Sequence, residues 1–112
     1  MPPKRIPAEI GRAAVRDGDA PTAVRWLLQV LADAAPGNSV EVRVPPYGAV
    51  QVIEGPRHTR GTPPNVVEVD AATWIALATG ALAWRDAVDA GRVSASGVRA
   101  DLDGVLPLQW DN

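Results

Sequence analysis

Three cation-forming side chains are crowded into one proline-rich stretch of this sequence. Arg57, His58 and Arg60 lie between Gly55 and Asn65, a segment with three prolines and two glycines and no hydrophobic period. Guanidinium groups bind carboxylates and phosphates through paired hydrogen bonds, and an imidazole near neutral pH can add a further donor. We expect these three residues to contact an anionic head group. The alternative is a solvated loop whose charges serve solubility.

Other reactive chemistry finds little support in the chain. Cysteine is absent, which excludes disulfides, thiolate nucleophiles and zinc–thiolate sites. Ser94 and Ser96 are not set in a G-x-S-x-G phrase, which disfavours a serine hydrolase, and no phosphate-binding loop of the G-x-x-x-x-G-K-[ST] type occurs. His58 is the only histidine, whereas metal sites need clustered ligands. We therefore expect no catalytic residue, no metal, no cofactor and no enzymatic activity.

Length and charge place the chain among ordinary globular proteins. Its 112 residues suffice for one domain, which we assign to residues 1–112 with a flexible tail over residues 1–6. The net charge of −2 disfavours binding to nucleic acid. For the same reason we expect at most transient contact with an acidic membrane. No apolar run reaches the roughly 18 residues that span a bilayer. These features predict a cytoplasmic protein.

Hydrophobic spacing predicts two helices in the first third of the chain. Pro7 suits the first turn of a short helix that ends near Asp17. Asp19 can cap a longer second helix, which Pro36 and Gly37 would end. The apolar stripe of that second helix comprises Val24, Leu27, Leu28 and Leu31, widened by Trp26 and Val30.

Alternation then predicts strands, and the period changes again near residue 70. Val40, Val42 and Val44 alternate with polar residues, and a second strand carries Val50 and Val52. A third strand leads to a helix capped by Asp70. The apolar face of that helix includes Trp74 and Leu77, and the helix ends at Gly80. The next helix has Trp84 and Val88 on its apolar face and ends at Gly91. The tail after residue 97 fits a helical turn or an edge strand.

The order of these elements favours an α+β fold, with an antiparallel sheet covered on one face by helices in a single layer pair. A last strand over Val93–Gly97 is made of small residues, which permit close approach of another element. We expect Val93, Ala95 and Gly97 to face the two tryptophan-bearing helices.

Residues Asn65 to Leu108, "NVVEVDAATWIALATGALAWRDAVDAGRVSASGVRADLDGVLPL", resemble the C-terminal half of the sterol carrier protein 2 family. With Ser39 to Glu68 the chain resembles the small bacterial branch of that family. The resemblance implies a curved antiparallel sheet with helices on one face, enclosing an apolar tunnel for a sterol, fatty acyl chain or acyl-CoA on which no chemistry is done. The absence of phenylalanine and the single methionine depart from larger members and predict a small or closed tunnel.

A pocket of this kind has an energetic constraint. A dry cavity costs about 24 cal/mol per Å³, so one of roughly 300 Å³ would cost about 7 kcal/mol, a large part of the ~5–15 kcal/mol that stabilise a domain. The pocket must be filled by ligand, partly hydrated or collapsed. The residues predicted to line it, or else to form plain core, are Trp26, Leu27, Val30, Val50, Val52, Trp74, Leu77, Trp84 and Val88.

The sequence thus predicts a lipid or sterol carrier that binds a fatty acid, acyl-CoA or sterol. The alternative is a scaffold of the same fold without a tunnel, which acts through a protein partner or as a homodimer.

Overall fold

The computed structural model of this protein describes residues 4–55 and 65–111, and within them the helices and strands follow the predicted order. The predicted head-group residues Arg57, His58 and Arg60 lie outside the described residues. The elements are α1 (Ala8–Asp17), α2 (Ala20–Ala34), β1 (Val40–Val44), β2 (Gly48–Val52), β3 (Asn65–Glu68), α3 (Ala71–Thr79), α4 (Trp84–Asp89), β4 (Ser94–Ser96) and a 3-10 turn (Asp103–Val105).

Side-chain caps fix where the two most buried helices begin. The Asp19 carboxylate accepts a hydrogen bond from the backbone N–H of Thr22 at 3.4 Å, and Asp70 accepts one from the N–H of Thr73 at 2.7 Å. Each bond satisfies an N–H that has no partner within the helix. Gly80 then ends α3 in the left-handed conformation, with φ of 88°. Both caps and this helix end confirm the sequence predictions.

The four strands form one sheet in the order β2-β1-β3-β4. β1 pairs antiparallel with β2, and β3 pairs antiparallel with β4. β1 and β3 pair in parallel, and β3 lies on the side of β1 away from β2. The α+β prediction is confirmed, and the sheet is mixed where a purely antiparallel one was expected.

One face of the sheet is buried beneath the helices. Val42, Val44 and Val67 are completely buried, whereas Arg43 and Glu68 on alternate positions are exposed. α2 contacts both β2 and α3, and the indole Nε1 of Trp74 donates a hydrogen bond to the carbonyl oxygen of Val24 at 3.3 Å. Pairing the indole N–H in this way lets the largest core side chain be buried without an unsatisfied polar atom.

The small residues of β4 are not packed against the tryptophans, which corrects the expectation from the sequence. Ala95 lies opposite the buried Val67 on the helix side of the sheet, yet all of Ser94–Ser96 is exposed at the sheet edge, whereas Trp74 and Trp84 are buried, at 0% and 8% exposure. Ala95 therefore does not pack against an indole. The close approach predicted from the small residues occurs at Gly97, where φ is 100° and a β-carbon would overlap the side chain of Asn65. The tail after β4 contains a helical turn rather than a strand.

Candidate functional site

Helix α2 carries a polar ridge between two apolar strips. Arg25, Gln29 and Asp33 recur every four residues, so they share one side of the helix. Leu28 and Ala32 lie on one side of the ridge. Trp26 and Val30 lie on the other side. The face opposite the ridge packs on the sheet, so α2 both builds the core and supplies a wall to two surface clefts.

The first of these, the β2 cleft, lies between α2 and β2 and has a volume of about 340 Å³. Its floor is apolar, formed chiefly by Leu28, Ala32, Tyr47 and Val50, and cationic side chains border it. Its complete lining is Lys4, Arg5, Ile6, Arg25, Leu28, Gln29, Ala32, Asp33, Tyr47, Gly48, Ala49 and Val50. An apolar floor with a few polar groups at the rim is the usual composition of a small-molecule site.

The segment that precedes α1 closes one side of this cleft. The N–H of Ile6 donates to Oε1 of Gln29 at 3.0 Å, and Nε2 of Gln29 donates to the carbonyl oxygen of Ile6 at 3.0 Å. Arg5 forms an ion pair with Asp33 at 2.5 Å. Its hydrogen bond to the Asp33 carboxylate, together with that negative charge, raises the pKa of the Arg5 guanidinium. Arg5 and Ile6 thus contact α2, within residues that the sequence assigned to a flexible tail.

A second space, the Trp110 cleft, lies on the far side of the ridge and measures about 500 Å³. Trp26 and Trp110 contribute its aromatic surfaces, and the guanidinium carbon of Arg16 lies 5.8 Å from the ring centroid of Trp110. Its complete lining is Arg5, Ile6, Pro7, Ala8, Arg12, Trp26, Gln29, Val30, Asp33, Gln109 and Trp110. Gly11 lets α1 approach Trp26, because a β-carbon at residue 11 would overlap the indole ring.

The residues predicted to line one pocket are divided among four places. Leu27, Val52, Trp74, Leu77 and Trp84 are buried in the core. Neither cleft includes any of these five side chains.

Val50 lies on the β2 cleft, whereas Trp26 and Val30 lie on the Trp110 cleft. Val88 is 43% exposed on α4, so the structure does not bring it together with the others.

The rim of the β2 cleft was not predicted from the sequence. The hydrophobic stripe of α2 predicts its buried face only, and Arg25, Gln29 and Asp33 lie outside that stripe. Their four-residue spacing was the available signal, since it places a polar row next to Leu28 and Ala32. Nothing in the sequence indicated that the chain before α1 would be bonded to Gln29.

Residues 4–55 and 65–111 contain no group of three or more His, Cys, Asp or Glu side chains arranged to hold a metal ion. In the same residues, no helix combines the length and apolar character needed to cross a membrane.

Helices on one face of a four-stranded mixed sheet, with two clefts beside the longest helix, define a small α+β domain. A family model described as "Bacterial SCP ortholog" matches residues 16–108, and the chain belongs to this sterol carrier protein 2-like family. The predicted resemblance is confirmed. The family is in general a non-enzymatic carrier domain. Among curated proteins, none matched the chain.

Proposed function

We propose that this protein is a non-enzymatic lipid-binding protein that holds the apolar part of its ligand in the β2 cleft. The observation that carries the proposal is the apolar floor of that cleft, open to the surface on a domain of a carrier family. At about 340 Å³ the cleft lies at the low end of ligand sites, which range from about 300 to 1,000 Å³. It therefore suits one acyl chain better than a larger lipid body.

The packing of the core supports a ligand at this edge of the domain. The core side chains that the sequence assigned to the pocket, Trp74 and Leu77 among them, are at most 8% exposed and pack on other protein groups. An open cleft avoids the energetic cost of a dry internal cavity, because water occupies it until a ligand arrives. Binding then removes the apolar floor from water, and each buried methylene of ligand contributes about 0.8 kcal/mol.

The charges at the rim favour a ligand with an anionic head. Lys4 and Arg25 both line the β2 cleft, and Arg5 and Asp33, which also line it, neutralise one another in an ion pair. A carboxylate or phosphate placed at this rim would meet net positive charge. A fatty acid or acyl-CoA therefore fits better than an uncharged sterol. Head-group contact by Arg57, His58 and Arg60 stays a prediction.

A second candidate function is association through β4. Ser94–Ser96 form a short exposed edge strand, and Val98 beside it is fully exposed. An edge of this kind offers unpaired backbone groups to a partner strand. A protein partner or a second copy of the chain would then pair with β4. The mass of the protein in solution tests the homodimer, and a monomer at all concentrations up to the millimolar range would contradict it.

The lipid proposal is tested by filling the cleft. Ala32 lies on the floor, so Ala32→Phe places a ring where the acyl chain would lie, whereas Ala34→Phe adds the same ring at an exposed position of the same helix. A fluorescent fatty acid is titrated into each protein, and lipid extracted from freshly purified protein is analysed by mass spectrometry. We expect Ala32→Phe to weaken binding at least tenfold and Ala34→Phe to bind like wild type. Equal affinity for both variants would exclude the β2 cleft as the site.

A further inference from the structure

The segment Lys4–Pro7, which we name the latch segment, lies across the polar ridge of α2. Arg5 and Ile6 of this segment, together with Gln29 and Asp33 of the ridge, line both the β2 cleft and the Trp110 cleft. The latch segment is therefore a partition between two neighbouring clefts. It lies before the part of the chain that matches the family model, which begins at residue 16.

The polar attachments of the latch segment are few, and Ile6 also packs against the edge of the core. Side chains in the Arg5–Asp33 ion pair are 66% and 55% exposed, and solvent screens such a pair so that it contributes little. The part-buried pair of hydrogen bonds between Ile6 and Gln29 is the stronger attachment. At the other end of the segment Pro7 caps α1 without a side-chain hydrogen bond, so the helix start adds no further restraint of this kind.

We propose that the latch segment opens as a long acyl chain binds, which joins the two clefts into one trough along α2. In the closed state Ile6 covers the ridge, and the β2 cleft and the Trp110 cleft are separate. In the open state the trough runs from Val50 to Trp110, with apolar strips of α2 on both sides of Gln29. An acyl chain too long for the β2 cleft then extends over the ridge into the Trp110 cleft.

This inference rests on the proposed function, since it concerns how the same ligand binds. It also explains how a cleft of about 340 Å³ can serve a long chain, because the neighbouring space of about 500 Å³ becomes continuous with it. The chain would cross the ridge beside Gln29 and Asp33, which line both clefts.

The first test weakens the latch. Gln29→Ala removes both hydrogen bonds to Ile6, and Gln51→Ala makes the same change at an exposed position of β2 that lines neither cleft. Association of a fluorescent fatty acid is followed by stopped flow. Loss of two hydrogen bonds should raise the population of the open state, so we expect association about tenfold faster in Gln29→Ala and unchanged in Gln51→Ala.

The second test locks the latch. Because the chain contains no cysteine, Arg5→Cys/Asp33→Cys can be bridged specifically by a bis-maleimide whose spacer is cleaved by reductant. We expect the bridged protein to take up the probe at least tenfold more slowly, and reductive cleavage of the spacer to restore the rate. The unbridged double variant, blocked with N-ethylmaleimide on each cysteine, is the control for the substitutions themselves.

The outcomes separate the latch from the function on which it rests. Probe binding with equal association rates in bridged, cleaved and Gln29→Ala protein would overturn the latch and leave the lipid proposal intact. Failure of the wild-type protein to bind fatty acid at any concentration below its solubility limit would overturn the proposed function and the latch with it.

Discussion

Replacement of Gly11 by alanine tests how α1 is seated on the wall of the Trp110 cleft. A β-carbon at residue 11 would overlap ring atoms of Trp26 that lie next to the β-carbon of Trp26. Rotation of the ring moves these atoms little, and Trp26 is only 3% exposed, so the ring cannot move away. Overpacking of this severity costs about 2–3 kcal/mol. Alanine in place of glycine also favours the helix by about 1 kcal/mol, so the net loss should be roughly 1–2 kcal/mol.

Thermal and urea unfolding measure this loss, which should lower Tm by roughly 5–10 °C. Gly104→Ala is the matched control, because a β-carbon at residue 104 would extend into open space. The double variant Gly11→Ala/Trp26→Leu should lose less stability than the sum of the two single losses, since the smaller leucine leaves room for the methyl group. Gly11→Ala as stable as wild type, or more stable, would refute the close contact between α1 and Trp26.

Two further predictions concern α3 and β4. Asp70→Ala removes a cap and should cost about 1 kcal/mol at neutral pH in urea unfolding. Hydrogen bonds from the Thr73 backbone N–H and hydroxyl lower the pKa of Asp70, so this stabilisation is present above the unfolded-state pKa of about 3.9 and is lost as pH falls through the folded-state pKa. A difference between wild type and Asp70→Ala that widens below pH 4 would contradict it. Ala95 lies on an exposed edge strand, so Ala95→Leu should change the free energy of unfolding, measured by thermal melting, by no more than about 0.5 kcal/mol. A larger loss of stability would show that β4 is covered.

Local chemistry predicted the elements of this fold well. Asp19 and Asp70 are short polar residues directly before apolar helical patterns, and both cap helices. Alternation of valines predicted β1, and the valine positions are the buried ones. These features depend on a few neighbouring residues, which is why one sequence suffices to find them.

Sheet topology depended on information that periodicity does not contain. A strand has the same alternation whether its neighbour runs parallel or antiparallel, so nothing in Asn65–Glu68 indicated pairing with β1 in the parallel sense. The same limitation explains Ala95, since small residues permit close packing but do not say which element approaches. The close approach occurs between Gly97 and Asn65 rather than between β4 and an indole ring.

The candidate site was the hardest feature to predict. Burial of Trp74 and Leu77 follows from their spacing, but spacing does not distinguish a side chain that contacts protein from one that contacts a ligand. Both are core residues in the structure. The shape of the β2 cleft depends instead on the contact between Ile6 and Gln29. These residues are 23 positions apart, so no local pattern in the sequence encodes their contact.

The claim that the β2 cleft binds an acyl chain is tested most directly by a fatty acid that carries a nitroxide spin label on its chain. Bound label broadens the amide NMR signals of nearby residues in the 15N-labelled protein. We expect selective broadening at Tyr47–Val50 and Leu28–Ala32, with Ser94–Ser96 unaffected and the effect abolished in Ala32→Phe. Broadening centred on β4, or none beyond that produced by free label, would contradict the claim.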